Sequence, residues 1–326
     1  MRKVRLQMAQ LVKLQDYISR YETDLTRYPT QFVRLKQNQW KRMKIQWETN
    51  SNHSMWEDDL HDIEPEEKNQ FAAIFRFFSP RKEEGNLVEA PIKISEEDEV
   101  FDFTTTMTYK PANLKQLRKL YMDQIFHFQL KWASSTLMDK SRVNPKYMRD
   151  SLLRTIIQEL PDSYLLFYNP IIMLQKATVE LDIIIITPVE CMCITVLEEE
   201  DLTAFAGSKE RFWTTKLGEN ESKVLNPLMA LNRMEKIVSR LFGEKDIDFP
   251  IKKYLLSRNG YIDYPVRPFD VEIVDRRSYD EWFSSLGMLS APLKFAQFQA
   301  AQAILDVGQT NAISQLFDGE EGKVQL

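Results

Sequence analysis

An α/β fold, with helices packed on a mixed sheet, is predicted for residues 145–285 of this 326-residue chain. Helical and strand-like patterns alternate along this region, which is typical of an α/β sandwich. The segments 179–187 and 190–198 are rich in isoleucine, valine and threonine, residue types that favour strands. The rest of the chain is predicted to form a helical N-terminal extension, a connecting region and a helical tail over residues 286–326.

Residues 1–48 are predicted to form a helical hairpin or a coiled-coil-like extension. Two rows of apolar residues follow a seven-residue period, namely Val4, Leu11, Ile18, Leu25 and Phe32, and then Leu14, Tyr21, Tyr28 and Leu35. Such a pattern is typical of the a and d positions of packed helices. Pro29 interrupts it, and because proline is tolerated only in the first turn of a helix, two helices are expected, over residues 3–27 and 30–48.

The second of these helices is basic. Its cations are interleaved with two tryptophans, in the order Arg34, Lys36, Trp40, Lys41, Arg42, Lys44 and Trp47. Charge runs are usually solvated faces, and this interpretation is favoured. The alternative is a surface that contacts nucleic-acid phosphates, for which Lys41 and Arg42 are the candidates.

Residues 49–144 are predicted to be a linker followed by strand and helix elements. The stretch 49–66 is polar and acidic, as expected of a linker, and 67–78 has the pattern of a short apolar helix. Residues 101–110 alternate with a period of two, which predicts a strand. Pro111 can open a helix that runs to about residue 138.

Within residues 145–285, one helix is expected over 144–161 and one strand or two over 163–174. An amphipathic helix is expected over 226–243, with Gly243 as the C′ residue that ends it. Two further strand-like runs and a helix complete the region.

Composition narrows the class of protein. The net charge is −5, so any nucleic-acid contact must come from a local basic patch. No run approaches eighteen apolar residues, and the basic, amphipathic N-terminus lacks the apolar core of a secretory signal, so neither a membrane span nor secretion is expected. Cys191 and Cys193 stand two apart in one strand, which is poor geometry for a disulfide and too few ligands for zinc. A cytoplasmic setting is therefore expected.

Carboxylates stand at both ends of the two central strands. Glu180 and Asp182 precede the first strand, and residues 198–200, all glutamate, follow the second. A hard cation such as Mg²⁺ takes oxygen ligands, usually one or two carboxylates and several waters. A metal held this way can activate water and neutralise charge on a phosphate.

These residues resemble the nuclease-related domain (NERD), a branch of the restriction-endonuclease-like PD-(D/E)XK superfamily, and the resemblance implies a bacterial, DNA-binding protein. The matching positions are Asp182, Glu198 of the Glu-x-Lys motif, Asp150 at the start of a helix, Trp213, and the pair Asn226 and Pro227. The resemblance spans about residues 145–285. It implies a restriction-endonuclease-like sheet, with Asp182, Glu198 and Glu200 at the catalytic positions and Mg²⁺ bound by Asp150, Asp182 and Glu198.

Two positions depart from the family pattern. Glu200 occupies the place of the catalytic lysine, and Ala230 that of a glutamine. A glutamate beside the metal and the scissile phosphate replaces attraction by repulsion. Lys209 or Arg211, in the following loop, could supply the missing cation and contact nucleic acid.

Three functions are consistent with the sequence. The first is a NERD-like pseudo-nuclease with little or no cleavage, acting as a nucleic-acid-associated or protein-interaction module. The second is a Mg²⁺-dependent nuclease of DNA or RNA with a relocated cation. The third is a structural or assembly protein that associates with itself or a protein partner through residues 1–48.

Overall fold

The computed structural model describes residues 6–59, 105–175, 177–266, 268–289 and 291–314. The chain divides into two compact units. One consists of Met1–Val33 with Ile125–Leu326, and the other of Arg34–Gln124. Among the described residues, no helix is long and apolar enough to cross a membrane.

A six-stranded sheet forms the centre of the larger unit, and the prediction of a mixed sheet is confirmed. Its strands are β1 (Gln10–Leu14), β3 (Leu165–Tyr168), β6 (Ile183–Ile186), β7 (Cys191–Val196), β11 (Ile251–Leu256) and β13 (Val271–Val274). They lie in the order β1-β3-β6-β7-β11-β13. Only β6 runs against the others, since it pairs antiparallel with both β3 and β7. The other neighbouring pairs are parallel.

Burial explains why these segments form central strands. Both faces of β6 and nearly all of β7 are buried, which suits runs of β-branched and apolar residues without polar alternation. Cys191 and Cys193 are free thiols buried in β7. The two strands therefore lie in the core, while the acids that flank them lie beyond its edge.

The prediction of a helix over residues 3–27 is wrong, because residues Gln10–Leu14 form strand β1. All five residues of β1 are buried, and it pairs in parallel with β3. The amide of Gln129 covers its outer edge: the Leu11 N–H donates to Gln129 Oε1 (3.1 Å), and Gln129 Nε2 donates to the Ala9 carbonyl (3.1 Å). A seven-residue apolar spacing thus arose from burial in successive elements rather than on one helix.

Helix α1 (Arg27–Asp59) corresponds to the second predicted N-terminal helix and extends beyond it, with Pro29 in its first turn. It runs into the segment that was predicted to be a linker. Of the strand predicted over residues 101–110, the described part, 105–110, contains no strand. The short helix predicted over residues 67–78 lies outside the described residues.

The remaining helices are α2 (Leu114–Trp132), α3 (Pro145–Arg149), α4 (Ser151–Glu159), α5 (Pro227–Glu244), α6 (Tyr279–Met288) and α7 (Phe295–Leu305). The single helix expected over residues 144–161 is two, α3 and α4, which meet at Asp150. Gly243 is not the C′ residue of α5, because the helix includes it and ends at Glu244. Asp246 has the positive φ instead (53°), a conformation that aspartate tolerates better than most residues.

Short strands complete the fold. A four-stranded sheet has the order β10-β9-β8-β12, from β8 (Ala204–Ala206), β9 (Phe212–Leu217), β10 (Asn220–Leu225) and β12 (Tyr261–Asp263). Two strand pairs join β4 (Ile171–Leu174) with β5 (Ala177–Glu180), and β2 (Asp139–Lys140) with β14 (Ile313–Ser314). The segment 163–174 therefore forms two strands, β3 and β4.

Candidate functional site

Functional candidates collect at one edge of the central sheet. The carboxyl ends of the five strands that run in the same direction meet there, together with the amino end of β6. In open α/β sheets, the carboxyl ends of parallel strands are the usual place for ligands. Asp182 precedes β6 and Glu198 follows β7, so strand direction brings both acids to this edge.

Asp150 is held by two hydrogen bonds. It is the N-cap of α4, and its Oδ1 accepts from the Leu153 N–H (2.9 Å). Its Oδ2 accepts from the hydroxyl of Tyr168 (2.6 Å), the last residue of β3. Burial and this carboxylate raise the pKa of Tyr168, so the phenol remains a proton donor. Asp150 therefore closes the helix start and joins it to the sheet.

Asp182 bonds across the strand pair β6–β7. Ile183 faces Ile194 in the register, which places Asp182 beside Thr195. The Thr195 hydroxyl donates to Asp182 Oδ2 (2.6 Å). This hydrogen bond ties the residue before β6 to a side chain near the end of β7.

Glu198 forms a bidentate ion pair with Arg258, a residue that the sequence analysis missed. Arg258 Nε donates to Glu198 Oε1 (2.6 Å) and Arg258 Nη2 to Oε2 (2.7 Å), and the Arg258 backbone N–H adds a third bond to Oε1 (3.1 Å). The side chains are 24% and 21% exposed, so the pair is only partly open to water. Hydrogen bonding to Glu198 raises the pKa of Arg258 against the opposing effect of burial.

The register of β7 and β11 produces this pair. Val196 faces Leu256 in the parallel ladder, and the Leu197 N–H donates to the Leu256 carbonyl just beyond it (2.8 Å). Continuing both strands in the same register places Glu198 opposite Arg258. Arg258 Nη1 also reaches the Ser151 hydroxyl (3.3 Å), so its guanidinium lies beside the start of α4.

Glu200, at the lysine position of the motif, is exposed. Its backbone carbonyl accepts from the Thr203 hydroxyl (2.7 Å). Lys209 and Arg211 lie in the loop between β8 and β9, both exposed, and neither forms an ion pair with the site carboxylates among the described residues. The Arg211 guanidinium lies over the ring of Phe212, 5.6 Å from its centroid.

The other family positions have structural roles. The Trp213 indole donates to the Ser208 carbonyl (2.8 Å) and is fully buried. Asn226 caps α5 by accepting from the Leu228 N–H (3.0 Å). Lys41 and Arg42 are exposed on α1, in the unit formed by Arg34–Gln124. Their predicted role in nucleic-acid binding remains a prediction.

The carboxylates as arranged do not fit a Mg²⁺ ion. Glu198 has both oxygens bonded to Arg258, and Asp150 has both bonded to Leu153 and Tyr168. Across the part of the chain that the structure describes, no three His, Cys, Asp or Glu side chains are grouped so that they could hold a metal ion. The Arg258 guanidinium is hydrogen-bonded to the Glu198 oxygens that Mg²⁺ would need as ligands.

Part of the chain is similar to a known family. Residues 148–262 match the family model of the nuclease-related domain, whose general fold context is the PD-(D/E)XK superfamily. The resemblance predicted from the sequence is thereby confirmed.

A stretch of 41 residues is 61% identical to a protein of Geobacillus stearothermophilus described as an RNA 2′,3′-cyclic phosphodiesterase. This match covers 13% of each of the two chains. No solved structure matches.

Proposed function

We propose that this chain is a nuclease-related protein whose cleavage site is held closed by Arg258. It cleaves phosphodiesters little or not at all and acts as a nucleic-acid-associated or protein-interaction module. The observation that supports this most is the bidentate pair between Glu198 and Arg258. It occupies the glutamate that the family motif assigns to metal binding.

Charge supports the same conclusion. A metal nuclease needs free carboxylate oxygens and a cation that faces the phosphate. Here the cation at the site neutralises Glu198, and the position of the family lysine carries an exposed acid, Glu200. A scissile phosphate brought to this edge would meet the carboxylates of Asp150, Asp182 and Glu200, while the guanidinium of Arg258 is already paired with Glu198.

Metal binding and cleavage test this proposal together. Titration of the full chain with Mg²⁺ or Mn²⁺ in a calorimeter should give no binding heat, and the protein should leave DNA and RNA uncut. Arg258→Gln frees Glu198 and should gain measurable Mn²⁺ binding. Arg142→Gln, which removes an exposed arginine elsewhere, serves as the matched control. Metal-dependent cleavage by the unmodified protein that is lost in Asp182→Ala would overturn the proposal.

Nucleic-acid association is measured separately. Fluorescence anisotropy with single-stranded and double-stranded probes should show binding that weakens steeply with salt. Lys41→Gln with Arg42→Gln, and Lys209→Gln with Arg211→Gln, test the two candidate surfaces. Wild-type affinity in both double variants would mean that nucleic acid binds elsewhere on the chain, whereas no binding by the unmodified chain would leave protein interaction as the role.

One observation favours the second candidate function, a working nuclease with a relocated cation. Arg258 is a cation at the sheet edge, and it touches both Glu198 and Ser151 near Asp150. On this hypothesis the unmodified chain cleaves nucleic acid when Mg²⁺ or Mn²⁺ is present. Arg258→Gln then abolishes cleavage, whereas Lys209→Gln and Arg211→Gln retain it. Arg258→Gln thus separates the two functions: the first predicts a gain of Mn²⁺ binding, and the second predicts a loss of cleavage.

Self-association through residues 1–48 stays a separate proposal, and β1 changes how it must be tested. Deleting residues 1–48 would remove a buried strand of the central sheet. Charge reversals at exposed positions of α1, such as Lys41→Glu with Arg42→Glu, followed by light scattering, leave the sheet intact. If the unmodified chain and the charge-reversed variant have the same mass in light scattering, the result argues against assembly through this helix.

A further inference from the structure

The four-stranded sheet ends at strand β10, and this edge lies open to solvent. Every residue of Asn220–Leu225 is exposed except Val224, which is half-buried. The opposite edge of the same sheet is closed by side chains: the N–H of Ile262 in β12 donates to Asp275 Oδ2 (3.0 Å), and the Ile262 carbonyl accepts from Arg277 Nη2 (3.0 Å). The two edges of this sheet therefore differ in how their backbone groups are satisfied.

The hydrogen bonds of the β9–β10 hairpin show which backbone groups face the open edge. The two strands pair antiparallel, and the Asn226 N–H donates to the Arg211 carbonyl (2.9 Å) one position beyond the last pair of the ladder. Because hydrogen-bonded pairs alternate along an antiparallel ladder, the backbone groups of Glu221, Lys223 and Leu225 point away from β9. Within the described part of the chain, these outward groups have no hydrogen-bond partner. An edge of this kind can pair with another strand.

Two opposite charges stand on this edge. Glu221 and Lys223 are two positions apart in the strand, so their side chains lie on the same face of the sheet. Glu221 pairs with Lys216 of β9 (2.6 Å), and both of these side chains are more than half exposed. Lys223 is exposed and has no ion-pair partner among the described residues. An antiparallel strand with a lysine opposite Glu221 and a glutamate opposite Lys223 would complement this edge.

A second copy of β10 supplies such a strand in one register. Outward-facing residues can form hydrogen-bonded pairs only with outward-facing residues, which limits the registers that are allowed. When Ser222 faces Ser222 of the second copy, Glu221 faces Lys223 of the second copy, and the two-fold axis repeats this pair. The neighbouring registers place either Lys223 opposite its own copy or Glu221 opposite its own copy. Like charges directly opposite each other destabilise a strand pair, so the charges select the register centred on Ser222.

We infer that the chain forms a two-fold symmetric dimer through antiparallel pairing of β10 with β10 of a second copy. The two four-stranded sheets join into one continuous sheet, and each Glu221–Lys223 pair exchanges two backbone hydrogen bonds. Each Glu221 then lies between Lys216 of its own chain and Lys223 of the second copy. A single strand pair buries less than the roughly 1,200 Å² of a standard interface, so the dimer is weak and depends on concentration. This inference depends neither on cleavage by the carboxylate site nor on assembly through residues 1–48.

Disulfide crosslinking tests the register on the full chain. Ser222 lies at the two-fold axis in a non-hydrogen-bonded pair, whose Cα atoms are about 4.5 Å apart, a separation that a disulfide spans. Ser222→Cys should therefore give a crosslinked dimer on a non-reducing gel after treatment with oxidised glutathione. Asn220→Cys is the matched control, because it is exposed on the same strand and face, but its two copies would be about 14 Å apart and should not crosslink. The native Cys191 and Cys193 are fully buried, so only the new thiols should react.

Charge reversal tests the same pairs by sedimentation equilibrium. Glu221→Lys and Lys223→Glu each place like charges opposite one another at both pairs, so each variant alone should dimerise roughly tenfold more weakly. An equimolar mixture of the two variants restores opposite charges at both pairs and should regain dimers. Lys223→Glu leaves the ion pair between Lys216 and Glu221 intact, so its effect reports on the contact between copies. Arg142→Glu reverses an exposed cation outside β10 and should leave dimerisation unchanged.

Three outcomes would overturn the inference. One is a monomer mass for the unmodified chain over the whole concentration range of the sedimentation experiment. Another is equal crosslinking of the Ser222→Cys and Asn220→Cys variants. The third is a mixture of the two charge variants that associates no more than either variant alone, which would mean that the copies do not meet through the Glu221–Lys223 pairs.

Discussion

Substitution of Arg258 by glutamine removes the guanidinium that pairs with Glu198. The change eliminates two charge-assisted hydrogen bonds to Glu198 and the contact with the Ser151 hydroxyl, while the Arg258 backbone N–H still reaches Oε1. The Glu198 carboxylate then stays partly buried and accepts one remaining hydrogen bond, from the backbone N–H of residue 258. We expect a loss of stability together with a gain of metal affinity.

The magnitude follows from the geometry of the pair. Breaking a fully buried ion pair by removing one partner costs about 3–5 kcal/mol, and an exposed pair contributes about 0–1 kcal/mol. With exposures of 24% and 21%, the Glu198–Arg258 pair lies between these limits. We therefore expect Arg258→Gln to lower the free energy of unfolding by about 2 kcal/mol, and the melting temperature by a few degrees.

A double-mutant cycle measures the coupling directly. Urea unfolding is followed for the unmodified chain, Arg258→Gln, Glu198→Gln and the double variant. Because both single variants remove the same interaction, the double variant should cost about as much as one of them, giving a coupling energy of about 1–2 kcal/mol. Arg142→Gln should change stability by less than about 0.5 kcal/mol. Two results would refute a stabilising Glu198–Arg258 pair. One is strict additivity of the two single-variant costs, and the other is an Arg258→Gln variant as stable as the control.

Three further predictions concern the fold around the site. Burial opposes ionisation of Asp275, but the hydrogen bonds from Arg277 and from the Ile262 backbone N–H, with the charge of Arg277, together outweigh it and lower the pKa of Asp275. Asp275→Asn should therefore cost about 2 kcal/mol at neutral pH, and the cost should shrink in a pH series as the pH falls below the unfolded value of about 3.9. Glu22→Gln leaves the buried Lys13 ammonium without its carboxylate and should destabilise the fold by about 3 kcal/mol. Lys13→Met should cost less, because the Glu22 carboxylate that it leaves unpaired reaches water. Equal melting temperatures of these two variants would contradict this expectation. Gly260→Ala should cost about 1–3 kcal/mol in urea unfolding, since its Cβ would lie 2.7 Å from both a phenylalanine ring and a backbone carbonyl oxygen; an unchanged unfolding midpoint would show that this contact relaxes freely.

Much of the α/β region could be predicted from the sequence. The strands β6 and β7 are continuous apolar runs bounded by acids, and a helix capped by Asn226 begins where the Asn-Pro pair predicts it. Local patterns were sufficient here because each element carries its own signal, either a run of β-branched residues or a helix start.

The N-terminus shows where local patterns fail. Leu11 and Leu25 fit a seven-residue period, yet Leu11 belongs to β1, and Leu25 lies in the short stretch between a 3-10 turn and α1. Periodicity reports which residues are buried, but it does not report which element buries them. The partner of β1 is β3, more than a hundred residues away, and no local signal encodes that pairing.

The sequence by itself determined the NERD resemblance, the acids at the strand ends and the departure at Glu200. Only the tertiary structure decided that Glu198 is bound by Arg258 and that, among the described residues, neither Lys209 nor Arg211 pairs with the site carboxylates. The physical reason is strand register. The parallel pairing of β7 with β11 brings together two residues that are 60 positions apart in the chain, and a bidentate ion pair forms between them.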